Sequence, residues 1–145
     1  MFRMMIKNIP FKVLKLEGYY NFVLKNFERM QGGEIFVPKI PSINITDLAT
    51  AVDPALEQKI IGIRPGEKLH EVMCPADDSY HTYEYEDHFV IAPTIIFSSR
   101  SNDFTVNAIH EQGKQVEAGF EYNSKNNNEF LSQDGLLNFN TLADL

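Results

Sequence analysis

Tryptophan is absent from this 145-residue chain, and cysteine occurs once, at position 74. A single cysteine excludes an intramolecular disulfide, so oxidative cross-links do not hold the fold. No apolar run approaches the ~20 residues that a spanning helix needs. Residues 1–15 also lack an uninterrupted apolar segment followed by a small-residue cleavage site, so the expected location is cytoplasmic. Gly-x-Gly occurs nowhere, which removes both a dinucleotide fingerprint and a phosphate-binding P-loop.

Positive charge is scarce in the second half. Residues 1–73 hold 10 basic and 8 acidic side chains, whereas residues 74–145 hold 3 and 12, and the whole chain carries −7. Nucleic acid and anionic membrane surfaces are excluded as partners on this ground, because both need a basic face. An anion site belongs in the first half. What is present is 43% apolar residues, enough to give one ordinary domain its core.

The periodicity predicts a helix from Glu17 to Gln31, with Tyr20, Val23, Leu24, Phe27 and Met30 on its buried stripe and Lys25, Asn26, Glu28 and Arg29 facing water. Gly32-Gly33 stops it. Glu34 to Val37, closed by Pro38, reads as a strand. A second helix follows from a Thr46 cap through Val52. Lys59 to Ile63 reads as a further strand, and Pro65 then sits where a first helical residue belongs, with Leu69, Val72 and Met73 as the buried stripe of a short helix. His88 to Ala92 and Thr94 to Phe97 are strand-like on either side of Pro93. Phe104 to His110 is a weaker helix, and the tail carries Leu136, Leu137, Phe139 and Leu142. Such alternation favours an α/β arrangement.

Arg64-Pro65-Gly66-Glu67-Lys68 is the most informative stretch. If a helix starts at Pro65, its free N–H groups, its dipole and the planar Arg64 guanidinium together suit a phosphate, and Glu67 suits sugar hydroxyls. The plainer reading is a dipole-complementing Glu67 and an exposed Arg64 pair. Lys39, at the end of the first strand, could reach an anion or simply stay solvated. His70 and Cys74, at i and i+4, could share a helical face as two metal ligands, but zinc needs three or four. Cys74 reads more simply as a packed residue. The acids Asp77, Asp78, Glu84, Glu86 and Asp87 read as a solvated loop, without calcium-loop spacing. Tyr-x-x-x-Lys, Met-x-x-x-Lys and Gly-x-Ser-x-Gly are all missing, so no catalytic pair or nucleophile elbow is present.

Three runs carry a resemblance: Gly32 to Ser42 (GGEIFVPKIPS), Ile45 to Ala49 (ITDLA) and Lys59 to Met73 (KIIGIRPGEKLHEVM), continued by Pro75 to Ser79, Ile91 to Thr94 and Asn126 to Asn128. Together they resemble the C-terminal part of the inverting UDP-N-acetylglucosamine 4,6-dehydratases, lyases of the pseudaminic acid pathway for flagellin and surface glycans. The resemblance spans about Leu16 to Leu137 and leaves residues 1–15 as a divergent segment before a substrate-binding region, 16–145.

That resemblance implies the C-terminal substrate-binding part of an extended short-chain dehydrogenase/reductase fold, with the Rossmann half missing. It implies Arg64 as the diphosphate contact of a UDP-sugar, Glu67 as a hydroxyl contact and Lys39 as a weaker third. In the parent family the other half binds NADP, while this chain alone is expected to bind no cofactor. The family's catalytic Asp, Met and Lys have no counterparts here, so the chain alone is expected to be inactive. A separately encoded Rossmann half, or self-association through an uncovered apolar face, follows as the expected partner. The alternative is a stand-alone, non-catalytic UDP-sugar-binding or structural module.

Overall fold

The computed structural model describes residues 16–55, 57–59, 61–95 and 103–135. Helix α1 runs Leu16–Arg29, strand β1 Ile35–Pro38 and helix α2 Ile45–Val52, and strand β2 covers Val72–Cys74. A 3₁₀ turn over Ala76–His81 leads into β3 (Thr82–Glu84), β4 (His88–Ile91), β5 (Lys114–Gln115) and β6 (Tyr122–Asn123). Helix and strand are mixed, as alternation along the chain requires, but every strand pair is antiparallel.

The chain divides into two compact units. One holds Glu17–Ile40 and Val72–Asn123. Its larger sheet has the order β1-β4-β3-β5, and β2 pairs separately with β6. Strand β4 is central, and its side chains alternate between two cores. His88 and Val90 face Tyr85, Phe104 and Phe36, while Phe89 and Ile91 face Cys74 and Tyr122. That explains a strand apolar at nearly every position. The Tyr122 hydroxyl closes the end of β1, accepting from the Ile40 N–H and donating to the Ile40 carbonyl at 3.0 Å each.

In this unit Gly113 sits against the face of the buried Tyr85 ring. A Cβ at that position would lie 2.6 Å from the ring carbons, and the ring cannot swing away because its hydroxyl donates to the Phe104 carbonyl at 2.8 Å. Gly113→Ala should therefore cost about 1–3 kcal/mol in a urea unfolding titration. An unchanged midpoint would mean that the ring is not held there.

The other unit contains Pro41–Glu71 and the chain from Ser124 onward. Ser42 bridges Phe130 in parallel, with Ser42 N–H donating to the Glu129 carbonyl and Leu131 N–H to that of Ser42. Helix α2 starts one residue before the expected Thr46 cap. Asn44 is the cap, its Oδ1 accepting from the Thr46 N–H at 3.1 Å, so the shorter Thr46 side chain is left to donate to the same oxygen.

Three sequence expectations give way. The apolar stripe foreseen for α1 is turned outward: Tyr20, Leu24 and Phe27 are about 60% exposed, while Asn26 and Arg29 are buried. The described residues of the Lys59–Ile63 run form no strand, and Gly62 has φ +81°, off the extended region, so β-branching alone makes no sheet. Phe104 to His110 forms no helix. Val106 bridges Gln112 instead, and Asn107 Oδ1 accepts from the N–H groups of Ile109 and Glu111, a side-chain turn that competes with helical bonding. Residues 1–15, the end of the Thr94–Phe97 run and the apolar tail positions from Leu136 lie outside the described residues.

Candidate functional site

Arg64 to Glu67 is a tight turn, not a helix start. The Glu67 N–H donates to the Arg64 carbonyl at 3.1 Å, and Gly66 has φ +84°, the left-handed value that the third residue of a Pro-Gly turn requires. That φ is incompatible with a continuing α-helix, which is why the expected helix through Leu69 is replaced by an irregular segment with a bend at Leu69–His70, followed by β2. Leu69, foreseen as buried, is 67% exposed. The helix-dipole argument for an anion therefore falls away here.

The side chains remain suggestive. Glu67 folds back so that its Oε2 accepts from the Arg64 backbone N–H at 2.9 Å, which fastens the turn. The plainer reading, a surface pair of Arg64 with Glu67 or Glu71, is not seen among the described residues; Glu67 bonds the backbone instead. Arg64 is exposed, and no described residue engages its guanidinium. A planar five-donor fork held at a rigid turn suits phosphate oxygens.

Beyond the turn, Lys68, Leu69, His70 and Glu71 form one wall of a cleft of about 580 Å³. Ile43, Asn44, Ile45, Ser124, Lys125 and Phe130 line it as well. The Glu71 backbone N–H donates to the Ser124 hydroxyl at 2.9 Å, which ties these two lining segments. Neither Arg64 nor Glu67 lines this cleft.

Lys39 belongs to the other unit. Its Nζ lies 2.7 Å from a Glu84 carboxylate oxygen and 5.0 Å above the Phe89 ring, so its charge is already partnered within that unit. His70 and Cys74 do not share a helical face. Cys74 is fully buried in β2, and burial pushes its thiol up to about 12, leaving no thiolate at neutral pH. Among the described residues no three His, Cys, Asp or Glu side chains converge as metal ligands.

One cluster went unforeseen. Arg29, 2% exposed, donates from Nε to Glu111 at 2.7 Å, from Nη2 to both Asp87 oxygens at 2.9 and 3.0 Å, and from Nη1 to Asn26 at 3.1 Å. Asp87 also holds His88 Nδ1 at 2.7 Å. His88 is fully buried, stacked at 4.7 Å on Tyr85, and its buried Nε2 meets no hydrogen-bond partner. An Asp–His pair of this kind outwardly resembles a catalytic dyad, but no solvent or substrate reaches the imidazole. The arrangement pins α1 to β4 and to the loop carrying Glu111. Asp87, expected as part of a solvated loop, and Glu111 are thus its anchors. The only signal in the sequence was the spacing of Phe22, Asn26 and Arg29, one face of α1 with polar members, which hydrophobic periodicity passes over.

Residues 11–93 match the family described as polysaccharide biosynthesis protein, more than half of the chain. The chain belongs to that family. A UDP-N-acetylglucosamine 4,6-dehydratase (inverting) from Campylobacter jejuni serotype O:2 is 56% identical over 124 residues, covering 86% of this chain and 37% of that protein. Its counterpart from serotype O:23/36 is 53% identical over the same shares. Both identities are far above what a shared fold alone produces. Among solved structures, Pen from Bacillus thuringiensis superposes with a TM-score of 0.65 at 24% identity, over 89% of this chain and 36% of that one, which establishes a common fold. The chain spans a little over a third of the length of the curated relatives it matches.

Proposed function

We propose that this chain is the nucleotide-sugar-gripping part of an inverting UDP-N-acetylglucosamine 4,6-dehydratase, acting in cytoplasmic synthesis of sugars, of the pseudaminic acid type, for surface or flagellin glycans. The observation that carries the reading is the identity to the Campylobacter dehydratases across the stretch holding Arg64 and Glu67. The Arg64 guanidinium, engaged by no described residue and carried on a hydrogen-bonded turn, supports it. Arg64 binds the diphosphate, and Glu67 orients a hydroxyl with the carboxylate oxygen that the turn leaves free.

NADP is the cofactor this reading requires elsewhere in the complete enzyme. The residues in hand do not fit it, since no glycine-rich turn receives a pyrophosphate and no Met-x-x-x-Lys pair is present. Redox and elimination steps are therefore assigned to none of them. The 145-residue chain mixed with NADP and UDP-N-acetylglucosamine should form no 4-keto sugar, and turnover would contradict the reading.

Calorimetric titration with UDP is the direct test. The wild-type chain should bind, and Arg64→Ala should weaken binding about tenfold or more, the cost of losing charge-assisted hydrogen bonds to a phosphate. A variant that binds as well as wild type would remove Arg64 from the site. Gly66→Ala, which strains the turn without touching the guanidinium, should weaken binding less.

A further inference from the structure

Helix α1 has two unlike faces. Its inner face, through Phe22, Asn26 and Arg29, is held against β4, whereas Tyr20, Leu24 and Phe27 lie on the opposite side with 59%, 62% and 65% of their surface exposed. At 3.6 residues per turn these three span an arc of about 60°, and Met30, also exposed, extends it to about 120°. A helix anchored by polar groups inside and apolar outside has the character of a layer between two others. A helix at a true surface carries the reverse pattern.

The size of the stripe bears on what covers it. Four partly exposed side chains on one helix supply a few hundred Å² at most, well short of the roughly 800 Å² per partner of a stable interface between separate molecules. A second copy therefore finds too little here. The curated relatives are matched over only 37% of their length, and the solved neighbour superposes 89% of this chain on 36% of its own. In the shared fold these elements belong to a body nearly three times as long.

We infer that the outer face of α1 is the docking surface for the remaining portion of that body, which covers Tyr20, Leu24 and Phe27 with an apolar layer of its own. This rests on the reading of the chain as one part of a dehydratase.

The experiment uses the complete Campylobacter jejuni serotype O:2 enzyme with its matched stretch replaced by the corresponding residues of this chain, beside the 145-residue chain itself. Leu24→Glu with Phe27→Glu should lower the melting temperature of the graft by about 10 °C or more, since both charges then enter an apolar interface. Leu24→Met with Phe27→Leu should keep it near that of the unsubstituted graft. In the 145-residue chain the glutamate pair should leave the melting temperature unchanged. A glutamate graft that melts with the unsubstituted one overturns the docking surface, and if that graft still produces the 4-keto sugar the dehydratase reading stands without it. Equal loss of stability in both proteins also overturns it. So does a concentration-dependent dimer of the 145-residue chain that the glutamates abolish, which would make a second copy the occupant.

Discussion

Arg29→Met should destabilise the protein by about 3 kcal/mol, the low end of what breaking a buried ion pair costs, because both carboxylate partners keep some water. The guanidinium makes hydrogen bonds to Asp87, Glu111 and Asn26 from a side chain that is 2% exposed. Without it two carboxylates converge with Lys25, 3.4 Å from Glu111 and 3.7 Å from Asp87, as the one cation among the described residues that pairs with both. Arg29→Lys should lose nearly as much, since a point charge cannot make the forked contact with Asp87 and reach Glu111 as well. Adding Asp87→Asn and Glu111→Gln to Arg29→Met should recover part of the loss by removing the stranded charges. Urea titrations of the four proteins test this. A loss below about 1 kcal/mol in Arg29→Met would place the cluster among ordinary surface pairs.

Stability should also fall in two separate steps on acidification, the first set by His88. Burial disfavours the imidazolium and outweighs the Asp87 hydrogen bond, so the folded state holds His88 neutral below its usual 6.5. The unfolded chain takes up that proton near pH 6.5 while the folded one refuses it, so stability drops as pH falls from there. The charged and titratable groups around the ring are Asp87, Arg29, Glu111 and Tyr85. The second step belongs to carboxylates. Burial opposes the Asp87 charge, but hydrogen bonds from His88 and Arg29 prevail and bring it to about 2; the Arg29 hydrogen bond leads in bringing Glu111 to about 2. Their usual values are 3.8 and 4.5, so the stability they add is present above pH 4.5 and is lost between there and pH 2.

His88→Phe should separate the two steps. A phenyl ring in place of the imidazole among Phe22, Phe36 and Tyr85 carries no proton, so the decline between pH 6.5 and 4.5 should vanish, while the one below should shrink as Asp87 loses its His88 hydrogen bond but persist through Arg29. Melting temperatures by circular dichroism across pH 2–8 would show it. A variant that keeps the upper step would assign that step to another group.

How much of this was legible beforehand differs by element. The span of α1, its stop at Gly32-Gly33, the β1 run and the β4 run follow from periodicity and from glycine and proline, which act within a few residues. The inward face of α1 was not legible in the same way. Its apolar stripe was read as buried because apolar side chains usually find a core, whereas here polar Arg29 has partners 58 and 82 residues away in Asp87 and Glu111, and Asn26 is buried beside it as a further acceptor. Long-range pairing of that kind leaves no local trace. The strand expected at Lys59–Ile63 failed for the complementary reason, since a strand exists only with a partner, and none lies among the described residues.

The candidate site shows the same division. Arg64, Glu67 and the Pro-Gly pair between them are a matter of sequence alone, and so is membership of the polysaccharide biosynthesis family, which residues 11–93 carry. Only the folded chain decides what Gly66 does. With φ at +84° it closes a turn in place of a helix, so Arg64 presents a guanidinium that no described residue engages where a helix dipole was expected. Glycine permits both conformations at little cost, and the hydrogen bond from Arg64 N–H to the Glu67 carboxylate selects one of them.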